Sequence, residues 1–244
     1  MKCLILAAGY ATRLYPLTEN FPKPLLKVKN KTIIDWLIDD IETSKKVDEY
    51  IVISNHKYYN HFYDWSKTKK INVCIIDDMT MTNEARLGAV LDIKYAIDKL
   101  SLDDDLLIIA GDNLLDFSLG SFIDYSINKN TSCVMRYYEK DYNKLIKCGV
   151  VTIDESDKVL KMTEKSLTPD THWCTPPFYY YHKDDIKLIN EAIKDGCNTD
   201  APGSFLGWLC KKRTIHSMEM PGSRYDIGNL DSYNEVQLKY NGIK

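Results

Sequence analysis

The sequence predicts an α/β fold with three layers, in which a mixed, mostly parallel sheet is flanked by helices. Short apolar strands alternate with amphipathic stretches through the first half of the chain, a pattern typical of a parallel sheet covered on both faces. The second half carries more strand patterns and fewer helical ones. We therefore expect a Rossmann-like sheet with a β-rich extension.

Apolar runs mark the strands of the first half, and a periodic apolar stripe marks its helices. We predict strands at 3–7, 50–54, 73–76 and 106–110. One helix is predicted where Ile33, Leu37 and Ile41 recur at helical spacing, and a second over 85–100. The order of strands and helices is that of consecutive βα units.

Strand patterns dominate the second half of the chain. We predict strands at 132–137, 149–153, 159–162 and 178–181, and helices at 184–194 and 231–240. No repeat, low-complexity tract or Gly/Ser linker separates the two halves. We therefore expect one domain over residues 1–244, made of halves 1–115 and 116–244.

Composition excludes several classes of protein. Of the 244 residues 44% are apolar, enough for a substantial core, and 32 basic against 35 acidic residues give a net charge near −3. Such a charge attracts neither nucleic acid nor an anionic membrane, and no apolar stretch approaches the roughly 18 residues of a membrane span. The seven cysteines show no C-x-x-C spacing, which predicts free thiols in a cytoplasmic protein. A homo-oligomer is compatible with these features.

The first strand runs into a loop suited to phosphates. It reads Ala7-Ala-Gly-Tyr-Ala-Thr-Arg-Leu14, and Lys23 follows within ten residues. Small side chains let backbone N–H groups approach phosphate oxygens, and Arg13 and Lys23 add full positive charges. The loop is neither a P-loop nor a dinucleotide G-x-G-x-x-G motif. The alternative is an ordinary strand-to-helix turn with an exposed arginine.

A carboxylate follows the predicted strand at 106–110. Gly111-Asp112-Asn113 places Asp112 at the carboxyl edge of the sheet, where open α/β folds bind ligands. Asp112 is a candidate ligand for Mg²⁺, which prefers one or two carboxylates together with phosphate oxygens. Alternatively, Asp112 only caps the next turn.

Three segments together resemble a known family. Leu6-Ala-Ala-Gly-Tyr-Ala-Thr-Arg-Leu14, Tyr15-Pro-Leu-Thr18 and Pro22-Lys-Pro-Leu-Leu26 are similar to the N-terminal signature of sugar-1-phosphate nucleotidyltransferases, of the NTP-transferase superfamily. The resemblance implies an enzyme that joins a nucleoside monophosphate from an NTP to a sugar 1-phosphate and releases pyrophosphate. The chain departs from the family at Ala11, usually a second glycine. Alanine fits there without strain if its φ is negative.

The resemblance also implies roles for residues of the first half and for the metal. Arg13, Lys23 and Asp112 would be catalytic, and Asp112 and Asp226 would bind Mg²⁺. The implied nucleotide contacts are Leu6, Ala8, Gly9, Ala11, Thr12 and Gly88. In the segment around Gly88 the chain departs from the family, and Glu84 or Arg86 is a further candidate for contacting the nucleotide. Without the resemblance, Asp226 reads as an Asx-turn before a helix.

Acceptor-binding residues are implied for the β-rich extension. Glu164-Lys165 resembles the family's E-K-P segment, with Ser166 in place of proline. Lys165 would bind the acceptor's phosphate, Glu164 a sugar hydroxyl, and Gly149 would contact the acceptor through its backbone. A glutamate-lysine pair at a strand end is otherwise a solvated pair.

Two other functions stay open. A cytidylyltransferase acting on phosphocholine or a phosphonate would share the same loop, and Trp173 with Tyr179–Tyr181 is then a candidate aromatic cage for a quaternary ammonium group. The other is a catalytically inactive nucleotide sensor. The five histidines show no metal-ligand spacing and are expected to be structural or exposed.

Overall fold

The computed structural model describes residues 1–243. Its strands, in chain order, are β1 Lys2–Leu6, β2 Lys27–Val28, β3 Lys31–Thr32, β4 Glu49–Ser54, β5 Val73–Asp77, β6 Leu106–Ala110, β7 Asn113–Leu115, β8 Ser132–Tyr138, β9 Gly149–Ile153, β10 Val159–Glu164, β11 Trp173–Thr175, β12 Phe178–Tyr181, β13 Ile215–Glu219 and β14 Arg224–Asp226. Its α-helices are α1 Ile33–Thr43, α2 Tyr59–Ser66, α3 Ala89–Leu100, α4 Gly120–Lys129, α5 Tyr142–Leu145, α6 Lys183–Ile186, α7 Ile189–Lys194, α8 Gly203–Leu209 and α9 Leu230–Lys239.

Contacts between residues divide the chain into two compact units. The first unit comprises Met1–Arg86, Ala110–Ser121 and the C-terminal segment from Pro221, and the second comprises Leu87–Ile109 and Phe122–Met220. The single domain over 1–244, with halves 1–115 and 116–244, stays a prediction, and its last residue lies outside the described part of the chain.

The first unit is built on a parallel sheet. β1 pairs with β4 and β4 with β5, both parallel, and most residues of β1 and β4 are buried. Thr32 caps the N-terminus of α1, since its hydroxyl accepts a hydrogen bond from the Asp35 amide, and the helix buries an apolar face that includes Leu37 and Ile41. The carboxyl ends of β1, β4 and β5 therefore open on one edge.

The C-terminal segment packs onto the loop region of the same unit. β14 pairs antiparallel with β7, and Ile227 and Tyr240 lie in one buried cluster with Leu14 and Leu114. The Tyr240 hydroxyl donates to the Leu115 carbonyl at 2.9 Å. This packing holds the residues around Asp226 beside the strand that follows Asp112.

The second unit is mainly antiparallel. Its strands run in the order β10-β9-β11-β8-β12-β6, and β13 pairs with β8 in parallel. α8 packs on β10, and a Cβ at Gly207 would come within 2.8 Å of the Met162 carbonyl oxygen. Glycine on that helix face therefore permits a close approach to the strand.

The predicted α/β fold, a mixed sheet flanked by helices, is confirmed. Strands β6, β9 and β12 have the predicted bounds. The helix predicted from residue 85 begins at Ala89, after a 3-10 turn at Asn83–Ala85 and Gly88, whose φ is 92°. The helix predicted over 184–194 is two short helices, α6 and α7, separated by Lys187 and Leu188.

Candidate active site

The loop after β1 is anchored at its base and leaves its glycine in solvent. The Ala7 amide donates to the Ile53 carbonyl at 2.9 Å, and the Asn55 side chain donates to the Ala8 carbonyl at 2.9 Å. Gly9 is exposed, and a Cβ added there would have no neighbour within 4 Å. A loop of small residues at the carboxyl end of a parallel strand can accept phosphate oxygens on its backbone N–H groups.

Ala11 has a left-handed backbone, with φ 47° and ψ 41°. The condition under which alanine fits here without strain, a negative φ, is therefore not met. The Ala11 carbonyl accepts hydrogen bonds from the Thr18 hydroxyl at 2.8 Å and from the Leu14 amide at 2.9 Å, which hold the conformation. The left-handed conformation costs a residue with a Cβ roughly 1–2 kcal/mol. This cost is a physical reason for a glycine at this position.

Ala11→Gly is expected to raise the free energy of unfolding by about 0.5–1 kcal/mol, because glycine tolerates positive φ but gains freedom in the unfolded chain. In a chain of this length that is a Tm increase of roughly 1–4 °C, measurable by thermal unfolding. Ala8→Gly is the matched control, since Ala8 is not among the residues with positive φ and glycine there should lower Tm. An unchanged or lower Tm for Ala11→Gly would show that the backbone of Ala11 does not destabilise the folded protein.

Lys23 and Asp112 form an ion pair at the foot of the loop. The Lys23 Nζ donates to Asp112 Oδ2 at 2.8 Å, with the lysine side chain 8% exposed and the aspartate 41%. Burial raises the pKa of the Asp112 carboxyl, but the charges of Lys23 and Arg224 outweigh it and hold that pKa below its ordinary value. Asp112 is therefore ionised and open on one side.

Gly111 brings Asp112 close to β1 and to the turn that contains Lys23. Its amide donates to the Leu6 carbonyl at 3.0 Å. A Cβ at Gly111 would lie 2.8 Å from Ile5 Cγ2 and 3.6 Å from Pro24 Cβ. The glycine before the aspartate is thus required by close packing.

Asp226 lies beside this pair. In the β7–β14 ribbon it is directly opposite Asn113, the neighbour of Asp112 in sequence. Directly opposed residues of an antiparallel pair have Cα atoms about 4.5–5.5 Å apart. Two residues later, a Cβ at Gly228 would be 3.8 Å from Arg13 Nη1. All four predicted residues lie in the first unit, with Asp226 opposite the neighbour of Asp112 and Arg13 close to Gly228.

These carboxylates fit Mg²⁺ better than a metal held by protein alone. Asp112 is half-exposed and Asp226 exposed, so both can offer oxygens to an ion. Within residues 1–243, no group of three or more His, Cys, Asp or Glu side chains is placed to hold a metal. Mg²⁺ typically takes one or two carboxylates and completes its shell with phosphate oxygens and water.

Sequence reasoning missed two polar residues of this cluster. Asn113 Nδ2 donates to Asp112 Oδ1 at 2.9 Å, and Arg224 Nη1 donates to Asn113 Oδ1 at 2.8 Å. The sequence signal for Arg224 is its spacing from Asp226. Residues two apart in a strand lie on the same face, so Arg224 is expected on the face that carries Asp226. The pairing of β14 with β7 could not be read from either short strand.

In the second unit, Gly149 lies between two polar side chains. It pairs with Glu164 of β10 and with Thr175 of β11, and directly opposed side chains share a face of the sheet. A Cβ at Gly149 would lie 2.7 Å from Thr175 Oγ1 and 2.9 Å from Glu164 Oε1. The glycine therefore leaves a slot between a hydroxyl and a carboxylate. Sequence reasoning missed Thr175, whose buried Oγ1 has no hydrogen-bond partner in the described part of the chain.

Lys165 and Gly88 adjoin the same loop of the second unit. Lys165 Nζ lies 3.5 Å from Asp200 Oδ2, and the Ala89 amide donates to the Asp200 carbonyl at 3.1 Å. A Cβ at Gly88 would lie 2.6 Å from the Thr199 carbonyl oxygen. The predicted residues Gly88 and Lys165 therefore both contact the loop at Thr199 and Asp200.

Glu164 borders a cavity of about 500 Å³ in the second unit. The cavity is also lined by Lys165, Gly203 and Trp208. A Cβ at Gly203 would collide with the Glu164 carboxylate, so α8 contacts this side chain directly. Burial raises the pKa of Glu164, and the nearby Lys165 only partly offsets that rise. In such a pair the lysine can bind an anionic group of a ligand, and the carboxylate can accept a hydrogen bond from a hydroxyl.

Comparison with known proteins places the chain in a family. The sequence model of the nucleotidyl transferase family matches residues 2–242. The chain belongs to this family. The match covers the Lys23–Asp112 pair, Asp226 and the residues around Glu164.

The chain is similar to curated proteins from archaea. It is 26% identical over 231 residues to the bifunctional protein GlmU of Methanocaldococcus jannaschii, covering 93% of this chain and 51% of that protein. It is 22% identical over 254 residues to the UTP–glucose-1-phosphate uridylyltransferase AglF of Haloferax volcanii, covering 98% and 96%. The chain thus spans about half the length of the GlmU relative.

A solved structure has the same fold as this chain. A UDP-glucose pyrophosphorylase complexed with UDP-glucose superposes with a TM-score of 0.83 at 19% identity, covering 97% of this chain and 96% of that one. At that identity the likeness shows the α/β fold alone. Among residues 1–243, no helix has both the length and the apolar character to cross a membrane.

Three of the four aromatic residues considered for a cage are buried. Tyr179, Tyr180 and Tyr181 are 2%, 2% and 0% exposed, in a strand that pairs with β6 along one edge and with β8 along the other. Tyr181 also packs against Phe205 of α8. Trp173 packs against Tyr138 and beneath the Arg136 guanidinium. The three tyrosines of β12 therefore belong to the core, and Trp173 of β11 is partly buried.

Glu164→Gln is expected to stabilise the protein near neutral pH. Because the folded pKa of Glu164 is raised, the folded state holds this proton more tightly than the unfolded state, and the carboxyl lowers stability as pH rises from its ordinary pKa through the raised one. The variant's gain in Tm should therefore be present at pH 7.5 and vanish near pH 4. Thermal unfolding at both pH values measures it.

The exposed Glu155→Gln variant is the control and should leave Tm unchanged. A fall in Tm at pH 7.5 for Glu164→Gln would show that the glutamate is held by favourable contacts instead.

Proposed function

We propose that this protein transfers a nucleoside monophosphate from an NTP to a sugar 1-phosphate and releases pyrophosphate. The observation that carries the proposal is the Lys23–Asp112 ion pair with Asp226 on the adjoining strand. A cation and two carboxylates beside an open loop suit a triphosphate that is bound together with a metal. The family of the chain and the uridylyltransferase among its relatives support this function.

The first unit is proposed to bind the NTP. Backbone N–H groups of the loop from Leu6 to Thr12 would contact the phosphates, and Arg13 and Lys23 would stabilise the charge that develops on the departing pyrophosphate. Asp112 and Asp226 would hold Mg²⁺, which when bound neutralises negative charge on the phosphate oxygens.

The second unit is proposed to bind the acceptor. The exposed Lys165 ammonium suits the acceptor's phosphate, and the slot at Gly149 offers a carboxylate and an unpaired hydroxyl to the hydroxyls of a sugar. Gly88, at the start of α3, would approach the nucleotide. Glu164→Gln is then expected to raise the KM for the acceptor about tenfold, with the KM for the NTP unchanged.

The reaction needs no general base. The acceptor's phosphate oxygen, already anionic at neutral pH, attacks the α-phosphorus of the NTP in line with the departing pyrophosphate. The residues of this chain supply position and positive charge, which are the main contributions to phosphoryl-type transfer. No covalent intermediate on the protein is required.

Two other functions have less support. A cytidylyltransferase for phosphocholine would need an exposed aromatic cage, whereas the tyrosines proposed for it are buried. A nucleotide sensor would not require an acceptor subsite such as the one at Gly149, Glu164 and Lys165.

A screen of substrates tests the proposal. The four NTPs are each combined with hexose 1-phosphates and with phosphocholine in the presence of Mg²⁺, and pyrophosphate release is followed. We expect release with at least one NTP and a hexose 1-phosphate, and none without Mg²⁺. Release only with phosphocholine, or NTP binding without release on any acceptor, would reject the sugar-phosphate activity.

A further inference from the structure

A chain of hydrogen bonds leads from an arginine to the proposed metal ligand. Arg224 Nη1 donates to Asn113 Oδ1 at 2.8 Å, and Asn113 Nδ2 donates to Asp112 Oδ1 at 2.9 Å. All three residues lie in the first unit, and Asn113 is 3% exposed. These hydrogen bonds cross the β7–β14 ribbon, so they depend on the pairing of those two strands.

The donors and acceptors available to these three side chains fix the direction of each hydrogen bond. A guanidinium only donates hydrogen bonds, so the amide oxygen of Asn113 faces Arg224 and its amide nitrogen faces Asp112. Lys23 donates to the other oxygen, Asp112 Oδ2, at 2.8 Å. The carboxylate is therefore held by one donor on each oxygen, and its remaining lone pairs keep a fixed direction.

We propose that Arg224 is a positioning residue, which orients the Asp112 carboxylate toward a divalent cation through Asn113. The inference rests on the proposed function, in which Asp112 is a metal ligand. Partners that hydrogen-bond to a ligating carboxylate typically change metal affinity about 10–100-fold when they are removed.

The charge of Arg224 and its hydrogen bond have opposite effects on the affinity for a divalent cation. A guanidinium near the site repels a divalent cation, so its removal would tighten cation binding by roughly a few-fold if charge alone mattered. Loss of the hydrogen bond would weaken binding instead. The sign of the change in affinity therefore separates positioning from simple electrostatics.

The experiment measures Mn²⁺ binding to the full chain, from the free Mn²⁺ signal in electron paramagnetic resonance, with and without NTP. Arg224→Met is expected to raise the Kd for Mn²⁺ about tenfold, whereas Arg224→Lys, which keeps a donor, should stay within roughly threefold of the unaltered protein. Arg213→Met removes an exposed arginine of the second unit and should change nothing.

A double variant tests the route through Asn113. In an Asn113→Ala background, Arg224→Met should cause no further loss of affinity, because the connection is already broken. If Asn113→Ala does not fold, the comparison of the Met and Lys variants at position 224 decides alone.

Tighter or unchanged Mn²⁺ binding by Arg224→Met would overturn the inference, as would equal losses in the Met and Lys variants or an unaltered protein that binds no Mn²⁺. Pyrophosphate release is measured on the same proteins. The expected Mn²⁺ pattern without any transfer would reject the proposed function and leave the role of Arg224 standing.

Discussion

Asp112→Asn is expected to lower turnover by about 10²–10³-fold while the protein stays folded. The asparagine keeps the shape of the side chain, and its amide oxygen can still accept the Lys23 hydrogen bond, but the charge that would hold Mg²⁺ is lost. Pyrophosphate release at saturating substrates measures the effect, and circular dichroism with a thermal melt establishes that the protein is folded.

Asp64→Asn is the matched control, because Asp64 is an exposed aspartate of the first unit whose ion pair with Lys67 lies on the surface. It should leave turnover within about twofold of the unaltered protein. Turnover close to normal in Asp112→Asn would reject Asp112 as a metal ligand.

Lys23→Met is expected to lower turnover by about 10²-fold or more, because it removes a charge proposed to stabilise the departing pyrophosphate. Methionine fills a similar volume in this buried position, so a loss of packing is avoided. The Asp112 carboxylate then loses its nearest cation, and its pKa should rise.

The same variant has a stability signature that depends on pH. In the unaltered protein the pKa of Asp112 is depressed, so its ion pair contributes stability above the ordinary carboxyl pKa and loses it as pH falls through the depressed value. The difference in Tm between Lys23→Met and the unaltered protein should therefore be largest near pH 7 and shrink below about pH 4. Lys27→Met, at an exposed lysine, is the control. A lower Tm with normal turnover would make Lys23 a structural residue only.

The fold was predictable where a strand is buried along its length. β6, β9 and β12 are apolar runs that stand out from their flanks, and their predicted bounds are confirmed. β7 and β14 were missed because three residues are too few to show a period. Such strands exist through pairing with a partner far along the chain, which local pattern does not encode.

The parts of the candidate site that could be predicted are those whose residues lie close together in the sequence. The residues of the loop and Lys23 lie within one short segment, so their proximity follows from the sequence. The placement of Asp226 opposite the neighbour of Asp112 depends on the register of β7 with β14, and Thr175 reaches Gly149 only through the pairing of β9 with β11. The strained φ of Ala11 was not foreseeable either, because it is set by hydrogen bonds that the folded loop provides.

The ribbon of β7 and β14 also sets the order in which the site can be assembled. A growing polypeptide that ends before Arg224 already contains the loop, Lys23 and Asp112, yet it lacks both Asp226 and the strand that holds it. Divalent-ion binding should consequently appear only when the last strand has docked, during biosynthesis as well as on refolding from denaturant. The time course of Mn²⁺ binding would then report the rate of the final folding step of the first unit.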